Sequence, residues 1–236
     1  MTLALALRGC NGLVLGTDSR VTSVEIQANG QPQQVTRDTS EKFLQVNRDI
    51  GVLTYGLAEP GYSGISRLVE QAKRHRYPSY KEIETAAQAI FQAEFTTWTQ
   101  AQQQPQVAAT GIVGFILAGY DSVLTNQFRV TSFQSTGGFQ PQEVILPTFL
   151  AAQYHVAQYL SQKLYKPEMT VDQVTQLAVF LMLETMSAEV TVGGPIQLAT
   201  VTIRNGFQRV TENQIDELLE ICQSKVKAFR RVLLEI

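Results

Sequence analysis

The second residue of the chain, Thr2, could act as a nucleophile without help from a histidine. If Met1 is removed, Thr2 carries a hydroxyl group and a free α-amine on the same residue. The reference pKa of an α-amine is about 7.7–8.0, so a substantial share of it is neutral near pH 7 and can accept the hydroxyl proton. Thr2 with a free N-terminus is therefore a complete minimal unit for nucleophilic catalysis.

The residues after Thr2 predict a β-hairpin that holds it on a rigid support. Apolar residues alternate over residues 3–7, which is typical of a strand, and residues 9–12 read Gly-Cys-Asn-Gly, which predicts a tight turn. Residues 13–15, Leu-Val-Leu, predict the returning strand. That strand brings the Asp-Ser-Arg sequence of residues 18–20 back beside Thr2, so we expect a carboxylate and a cation close to the nucleophile.

A lysine and an aspartate could support such a nucleophile. An ammonium group near a hydroxyl lowers the free energy needed to form the alkoxide, and a buried carboxylate keeps that ammonium charged and oriented. Lys42 and Asp18 have the right types for these two roles. Without further context, the same residues are more simply interpreted as a surface ion pair at strand ends, a common and weak feature. Gly56, which ends the apolar run of residues 51–55, is likewise typical of a turn between a strand and a helix.

The order of these segments resembles that of the proteasome β-type subunits, which are N-terminal nucleophile hydrolases. The resemblance rests on the threonine in second position, the strand, turn and strand that end in Asp-x-Arg, Glu-Lys-Phe-Leu-Gln-Val at residues 41–46, and Gly-Val-Leu-Thr-Tyr-Gly at residues 51–56. It is strongest over residues 1–60 and continues more weakly through Met-Thr-Val-Asp at residues 169–172 and Gly-Gly at residues 193–194. No single motif is decisive, but the ordered set is specific.

The resemblance implies catalytic roles for four residues. Thr2 is implied to be the nucleophile, and Asp18 and Lys42 are implied to be its supporting pair. Gly56 is implied to supply a backbone N–H donor to the oxyanion of the reaction. With the ordered pattern present, we prefer these roles to the surface ion pair.

The resemblance also implies a pocket for the substrate residue that precedes the cleaved bond. Val21, Thr54 and Ala58 occupy positions that resemble those lining this pocket in proteasomes. These three residues are small and uncharged. We therefore expect cleavage after neutral apolar residues.

The chain departs from the family pattern in two places. Active β subunits typically carry a Gly-Ser-Gly-Ser segment where this chain reads Leu-Pro-Thr-Phe-Leu-Ala at residues 146–151, so the serine expected beside the nucleophile is missing. Near the Gly-Gly pair the family usually has an aspartate and a serine, and the matching residues here are Glu189 and Val192. Glu189 keeps a carboxylate, but the Val192 side chain forms no hydrogen bond. The serines orient the amine, so we expect slower or differently organised catalysis, and Thr148 could restore one hydroxyl.

The patterns along the whole chain predict an α+β fold. Apolar periodicity, N-cap residues and turn sequences divide the chain into strands and paired helices. The predicted helices cover residues 62–76, 80–103, 148–164, 171–187 and 212–234, the predicted strands cover residues 21–28, 50–55, 109–118, 123–132, 143–146, 196–204 and 207–210, and residues 31–40 are predicted to form a polar loop. Two layers of mostly antiparallel strands covered by helices form a sandwich. The resemblance implies the same four-layer αββα sandwich of the N-terminal nucleophile hydrolases, as a single domain over residues 1–236.

Composition and charge argue against several classes of protein. The 19 Lys and Arg residues nearly balance the 21 Asp and Glu residues, which gives no electrostatic reason to expect binding to nucleic acid or to an anionic membrane. We find no metal-ligand motif, phosphate-binding loop or dinucleotide motif, so we expect no metal and no cofactor. No apolar run reaches the roughly 18 residues of a membrane span, no signal-peptide pattern is found, and the two cysteines fit no disulfide framework. We therefore expect a soluble, cytoplasmic protein.

Three functions remain open at this point. The first is a threonine-type endopeptidase that hydrolyses peptide bonds through an acyl-enzyme on Thr2. The second is a proteasome-like ring or scaffold protein whose site has decayed; retention of Thr2, Asp18 and Lys42 argues against it, and the missing serines argue for it. The third is an amidohydrolase of the same nucleophile class that acts on a small amide, which the fold alone does not exclude. For the peptidase, the resemblance implies a peptide or unfolded protein substrate, a homo-oligomeric ring, stacked ring or helical array, and an ATP-dependent unfoldase as a partner.

Overall fold

The structure is a computed structural model that describes residues 2–26, 31–101 and 111–234. The strands are β1 (Leu3–Gly9), β2 (Gly12–Thr17), β3 (Val21–Ile26), β4 (Pro32–Arg37), β5 (Phe43–Gln45), β6 (Ile50–Gly56), β7 (Val113–Asp121), β8 (Gln127–Gln134), β9 (Gln142–Glu143), β10 (Thr148–Ala152), β11 (Gln197–Thr202) and β12 (Gly206–Arg209). The helices are α1 (Ala58–His75), α2 (Tyr80–Ala101), α3 (His155–Leu164), α4 (Val171–Ala188) and α5 (Glu212–Leu234). A single 3-10 turn, Ser135–Gly137, follows β8.

The strands form two five-stranded sheets and a two-stranded ribbon, all antiparallel. The first sheet has the order β10-β1-β2-β11-β12, the second has the order β5-β6-β7-β8-β9, and the ribbon pairs β3 with β4. β1 therefore has a hydrogen-bonded neighbour on each side. Thr2, which directly precedes β1, lies at the end of an internal strand of the first sheet.

The alternation of residues along β1 explains how the layers stack. Leu3, Leu5 and Leu7 belong to the buried cluster formed with helices α3, α4 and α5. Ala4 and Ala6 belong to a second cluster, formed with residues of the second sheet. Successive side chains of a strand point to opposite faces, so one face of the first sheet packs on helices and the other packs on the second sheet. Full burial of each leucine contributes about 1.5–3 kcal/mol.

A third buried cluster joins the second sheet to helices α1 and α2 and completes the four layers. Phe91 of α2 stacks on Phe115 of β7, with ring centroids 3.7 Å apart, and Phe133 of β8 meets Phe91 edge-on. The order of the layers is thus helices, sheet, sheet, helices. The predicted α+β sandwich of the four-layer type is confirmed.

The first hairpin and the two last predicted helices also agree with the sequence analysis. Gly9 pairs with Gly12, so Cys10 and Asn11 form the loop between β1 and β2. Helix α4 begins with a capping box in which the Thr170 side chain accepts a hydrogen bond from the Gln173 backbone and the Gln173 side chain accepts one from the Thr170 backbone. Local turn and cap sequences were sufficient to predict these features because each involves residues close in sequence.

The prediction of a helix from residue 148 is wrong, because residues 148–152 form strand β10 and helix α3 begins at His155. In β10, Thr148 pairs with Leu7 and Ala152 pairs with Leu3, so the segment covers the edge of β1 that β2 leaves open. Residues 148–152 form a strand because they gain backbone hydrogen bonds to β1, which is distant in sequence. The local sequence does not indicate such bonds. Ala152 then ends the strand with φ +66°.

Other boundaries differ by smaller amounts. Part of the predicted polar loop at residues 31–40 forms β4 and pairs with β3. The turn between β11 and β12 consists of residues 203–205, with Gly206 at φ +66° as the first residue of β12, rather than of Asn205 and Gly206 alone. Helix α1 begins four residues earlier than predicted, at Ala58. The ends of three predicted elements, at residues 27–28, 102–103 and 109–110, lie outside the described residues.

Candidate active site

The Thr2 hydroxyl lies against the Lys42 side chain in a buried position. The Lys42 Nζ atom is 2.7 Å from Thr2 Oγ1, and both side chains are almost fully buried. Thr2 is held by its place at the start of β1, and Lys42 directly precedes β5 of the facing sheet. The contact between the two residues therefore crosses the interface between the two sheets.

Three acceptors surround the Lys42 Nζ atom. Besides Thr2 Oγ1, they are Asp18 Oδ1 at 3.0 Å and the Arg20 carbonyl oxygen at 2.5 Å. An ammonium group has three hydrogen-bond donors, so these contacts account for each of them. Lys42 is therefore fixed in one orientation, with one of its N–H bonds directed at the Thr2 hydroxyl.

Asp18 is fully buried and is held by backbone groups from three segments. Its Oδ1 atom accepts a hydrogen bond from the Leu3 backbone N–H, and its Oδ2 atom accepts from the backbone N–H groups of Arg20 and Gly193, each at 3.2 Å. A buried carboxylate is tolerated when it is paired and hydrogen-bonded in this way. Asp18 thus joins the hairpin that carries Thr2 to the turn after α4.

Burial shifts the pKa values of this ion pair toward each other. It raises the pKa of the Asp18 carboxyl group, and the neighbouring Lys42 ammonium opposes that shift. It lowers the pKa of the Lys42 ammonium group, and Asp18 opposes that shift too. The pKa of the Lys42 ammonium group is therefore below that of an exposed lysine, and the contact with Asp18 limits the shift.

A pocket of about 120 Å³ opens beside Thr2 and Lys42. The three residues that the sequence analysis placed in a substrate pocket, Val21, Thr54 and Ala58, all line it. The Thr54 hydroxyl donates to the Gly114 carbonyl oxygen at 3.2 Å, so its hydrogen is already used within the protein. The pocket is completed by Arg20, Thr22, Tyr55, Gly56, Leu57 and Tyr62.

Gly56 stands at the end of β6, on the wall of this pocket, in a conformation that requires glycine. Its φ is +88°, and a Cβ atom at this position would lie 2.0 Å from the Ile112 carbonyl oxygen. Any other residue would be strained and would collide with the backbone of the neighbouring chain segment. The structure therefore places Thr2, Lys42 and Gly56 on the wall of one pocket, with Asp18 buried behind Lys42.

A family model described as Proteasome subunit matches residues 2–201 of the chain. This chain belongs to the proteasome subunit family. Its relatives include Proteasome subunit alpha of Methanopyrus kandleri, 26% identical over 222 residues that cover 93% of this chain and 81% of that protein. They also include Proteasome subunit beta of Methanothermobacter thermautotrophicus, 21% identical over 210 residues, with 89% and 90% covered.

Solved structures of Anbu proteins share the fold of this proteasome-family subunit. Anbu from Yersinia bercovieri, described as an ancestral beta-subunit, has a TM-score of 0.73 at 15% identity and covers 99% of this chain and 97% of its own. The Gly-1 mutant of Anbu from Hyphomicrobium sp. strain MC1 has a TM-score of 0.72 at 15% identity, with 100% and 98% covered. At this identity, the likeness establishes the fold alone.

The sequence analysis included Glu189 among the catalytic residues. In this proteasome-family subunit, its carboxylate does not join the group formed by Thr2, Lys42 and Asp18. Glu189 caps the C-terminal end of α4, and its backbone bonds to Thr185 and Val192. Among the described residues, no hydrogen bond or ion pair joins its carboxylate to Thr2, Asp18 or Lys42. The turn that follows α4 acts instead through its backbone, since the Gly193 N–H reaches Asp18.

The segment beside the nucleophile lies later in the chain than the sequence analysis placed it. Residues 146–151 run into and along β10, whereas the backbone N–H of Gln153 donates to the Thr2 carbonyl oxygen at 2.9 Å. Ala152 adopts φ +66°, a conformation that favours glycine. The backbone of Gln153, rather than residues 146–151, therefore contacts Thr2 after the end of β10.

The sequence analysis missed a salt bridge that supports the site from outside. The Arg20 guanidinium makes two hydrogen bonds to the Asp38 carboxylate, at 2.8 Å each, and a third to the Val190 carbonyl oxygen at 2.8 Å. A Cβ atom on Gly193 would lie 2.4 Å from Arg20 Cζ, so a larger residue there would displace the Arg20 guanidinium. Asp38 lies in the predicted polar loop, and no local spacing links it to an arginine in position 20.

Tyr62 was also missed, because it was interpreted as the start of a helix. Its Oη atom is buried, and within residues 2–26, 31–101 and 111–234 no group forms a hydrogen bond of normal geometry with it. Burial raises the pKa of this phenol, and the nearby Ser40 hydroxyl opposes the shift. An unpaired buried hydroxyl is a cost to folding, which is a feature typical of functional sites.

We expect Tyr62→Phe to lower the free energy of unfolding by less than Tyr80→Phe does, because Ser40 is near the Tyr62 hydroxyl but forms no hydrogen bond of normal geometry with it. Urea denaturation of both proteins measures this. Tyr80→Phe is the matched control, since the Tyr80 hydroxyl is buried and donates to the Leu117 carbonyl oxygen at 2.8 Å. The control should lose about 1 kcal/mol. An equal loss for both variants would contradict the assignment of an unpaired hydroxyl to Tyr62.

The described residues contain no group of three His, Cys, Asp or Glu side chains that could hold a metal ion. Both described cysteines are free thiols, Cys10 exposed and Cys222 buried. None of the helices described has the length and apolar character needed to cross a membrane.

Proposed function

We propose that this proteasome-family subunit is a threonine-type endopeptidase that uses Thr2, freed from Met1, as its nucleophile. The observation that carries the proposal is the 2.7 Å contact between Thr2 Oγ1 and a lysine whose other two donors bond to Asp18 and the Arg20 backbone. A surface ion pair would be exposed and mobile, whereas these side chains are buried and fixed. Such an arrangement favours deprotonation of the hydroxyl.

The reaction begins when the Thr2 α-amine accepts the proton of the Thr2 hydroxyl. The Oγ1 atom then attacks the carbonyl carbon of the peptide bond, and negative charge collects on the carbonyl oxygen. We assign the backbone N–H of Gly56 as the donor that stabilises this oxyanion. The α-ammonium returns its proton to the leaving amine as the C–N bond breaks, which leaves an ester on Thr2. A water molecule, deprotonated by the same amine, hydrolyses the ester.

Lys42 and Asp18 contribute electrostatically. The Lys42 ammonium stabilises the partial negative charge that develops on Oγ1 during attack, and Asp18 keeps Lys42 charged in a buried position. Three backbone N–H groups hold Asp18 in turn. The site is therefore organised before substrate binds, which is the condition under which such contacts lower an activation barrier.

The pocket supports a preference for neutral apolar residues before the cleaved bond. Val21, Thr54 and Ala58 carry no charge, and the Thr54 hydroxyl already bonds to Gly114. The volume of about 120 Å³ is suited to a side chain of moderate size. Arg20, the cation on the rim, is occupied by Asp38.

Hydrolysis of short peptides tests this proposal. We expect the purified protein to release a fluorogenic amine from peptides that place Leu or Val before the bond, at a rate well above that for Asp or Lys. The Thr2→Ala variant should have no activity on any of them. Efficient cleavage confined to acidic or basic peptides, or activity that survives in Thr2→Ala, would count against the proposal.

A decayed scaffold is the second candidate, favoured by one observation. We match Gln153, whose backbone contacts Thr2, and Val192 to the two serines of active family members, so two hydroxyls that orient the amine would be missing. The intact buried contact between Thr2, Lys42 and Asp18 supports the peptidase instead. A buried charged pair costs desolvation free energy, so without catalysis there is little reason to retain it.

We further propose that the subunit works as one domain over residues 1–236 within an assembly. Proteasome-family subunits typically form homo-oligomeric rings, and a ring, a stacked ring or an open helical array of this subunit would enclose Thr2. Substrates would then be peptides or unfolded proteins, delivered by an ATP-dependent unfoldase, in the cytoplasm. The mass of the protein in solution tests the assembly, and a strictly monomeric active species would contradict it.

A further inference from the structure

The last helix, α5, has its charges separated into two halves. It spans 23 residues, or about 34 Å. No basic residue stands before Cys222 in this helix, and no acidic residue stands after it. The acidic half carries Glu212, Asp216, Glu217 and Glu220, and the basic half carries Lys225, Lys227, Arg230 and Arg231. In the described part of the chain, none of these side chains forms an ion pair within the subunit.

A stripe that is apolar at four of its six positions runs along one side of the same helix. Its positions are separated alternately by four and three residues, which is the spacing of a coiled-coil seam. They are Gln214, Leu218, Ile221, Lys225, Ala228 and Val232. Ile221 is 43% exposed and Val232 is 81% exposed, and the neighbouring Phe229 is 65% exposed. The helix packs on its own subunit through Ile215 and Cys222, with Leu218 and Leu219 partly buried beside them. Ile221 and Val232 of the stripe stay largely uncovered by the described part of the subunit.

We propose that α5 pairs with α5 of a second copy of this chain, antiparallel and around a two-fold axis. In this arrangement Leu218 lies opposite Ala228 of the second copy, and Ile221 lies opposite Lys225 of the second copy. Glu217 and Arg231 occupy the flanking positions of the seam, so each Glu217 meets Arg231 of the other copy. A two-fold axis makes every such contact twice.

The charges select both the direction of the pairing and the occupant. Antiparallel pairing sets the acidic half of each helix against the basic half of the other. Parallel pairing would bring like charges together, which is destabilising. A second copy of the chain has the complementary charges, because each α5 helix carries both an acidic half and a basic half. Burial of Ile221, Phe229 and Val232 supplies the hydrophobic stabilisation, and the charges set the register.

The pairing does not rest on the proposed peptidase activity, and cross-linking tests it directly. Ser224 lies next to the two-fold axis on the flank of the seam, whereas Gln223 points away from it. In a Cys10→Ser background, Ser224→Cys should give a covalent dimer on a denaturing gel with a short bis-maleimide. Gln223→Cys is the matched control and should stay monomeric. Equal cross-linking of both variants, or cross-linking of neither, would overturn the proposal.

A charge exchange tests the register independently. Glu217→Arg should weaken the dimer about tenfold, because it sets Arg against Arg at two symmetric contacts. Arg231→Glu should do the same, and the double variant should recover the cross-linking yield of Ser224→Cys alone. Failure of the double variant to recover, while the helix content by circular dichroism is unchanged, would show that these residues do not meet. Cross-linking only to a different protein added to the mixture would also overturn the proposal.

Discussion

Inserting one glycine between Met1 and Thr2 should slow peptide hydrolysis by about 10²–10⁴-fold, the typical contribution of a positioned general base. The inserted residue turns the Thr2 amine into an amide, which cannot accept the hydroxyl proton, while the hydroxyl, Lys42 and Asp18 remain. It would also occupy space that the substrate carbonyl needs. Steady-state rates on an apolar peptide, compared with those of the chain that begins at Thr2, measure the effect.

The matched control for this prediction is Thr2→Ser without the insertion. Serine keeps both the hydroxyl and the free α-amine, so this variant should retain most of the activity. Denaturation curves should show that the inserted chain is folded, because the insertion precedes Leu3, where β1 begins. An inserted chain that turns over within tenfold of the parent would show that the α-amine is not the base.

Lys42→Met should lower the rate by about 10²–10³-fold, the cost typical of removing one group that stabilises developing charge. It should also lower the free energy of unfolding by about 3–5 kcal/mol, because Asp18 would remain buried without its cation. Methionine fills similar volume, so packing changes little. Peptide hydrolysis and urea denaturation at pH 7 measure the two effects.

The pH dependence of this variant gives a signed test. Burial raises the pKa of Asp18, and without Lys42 the opposing contact is gone. As pH rises above the ordinary pKa of an aspartate, Asp18 loses its proton in the unfolded state before it does so in the folded state. The free energy of unfolding therefore falls as pH rises from the ordinary pKa to the raised pKa of Asp18 in the folded state. Lys42→Met should therefore become more stable as pH is lowered from 7. The double variant Lys42→Met, Asp18→Asn should regain part of the lost stability without regaining activity, because it removes the buried charge but its amide nitrogen cannot accept the backbone N–H bonds that one Asp18 oxygen accepts. A double variant that regains neither stability nor fold would contradict this account of the pair.

The sequence could predict the part of the site that depends on local turns. The loop formed by Cys10 and Asn11 fixes β2 antiparallel to β1, and Asp18 is then carried back to Thr2. Lys42 comes from the facing sheet, so its position could not be derived from spacing and was predicted only through the resemblance to proteasome subunits. The contact between Lys42 and Thr2 requires the two sheets to stack, which follows from the alternation of residues in β1.

What the sequence could not predict depends on pairings between distant segments. Residues 148–152 were interpreted as helix because their apolar residues fit either structure, and the open edge of β1 decides for a strand. That error also misplaced the segment expected beside Thr2, because the backbone contact to Thr2 comes from Gln153, after the end of β10. Glu189 was included by alignment to a motif, although the backbone of Gly193 makes the contact with Asp18.

Covalent labelling followed by intact-mass analysis tests the central claim most directly. The native protein is treated with an electrophile that captures both the hydroxyl and the amine of an N-terminal threonine, and its mass is then measured. The account predicts a species that lacks Met1 and gains one label per active subunit. Labelling should be abolished by Thr2→Ala and strongly reduced by Lys42→Met. A native protein that keeps Met1, or a processed and folded protein that takes no label, would contradict the account and leave the decayed scaffold as the function.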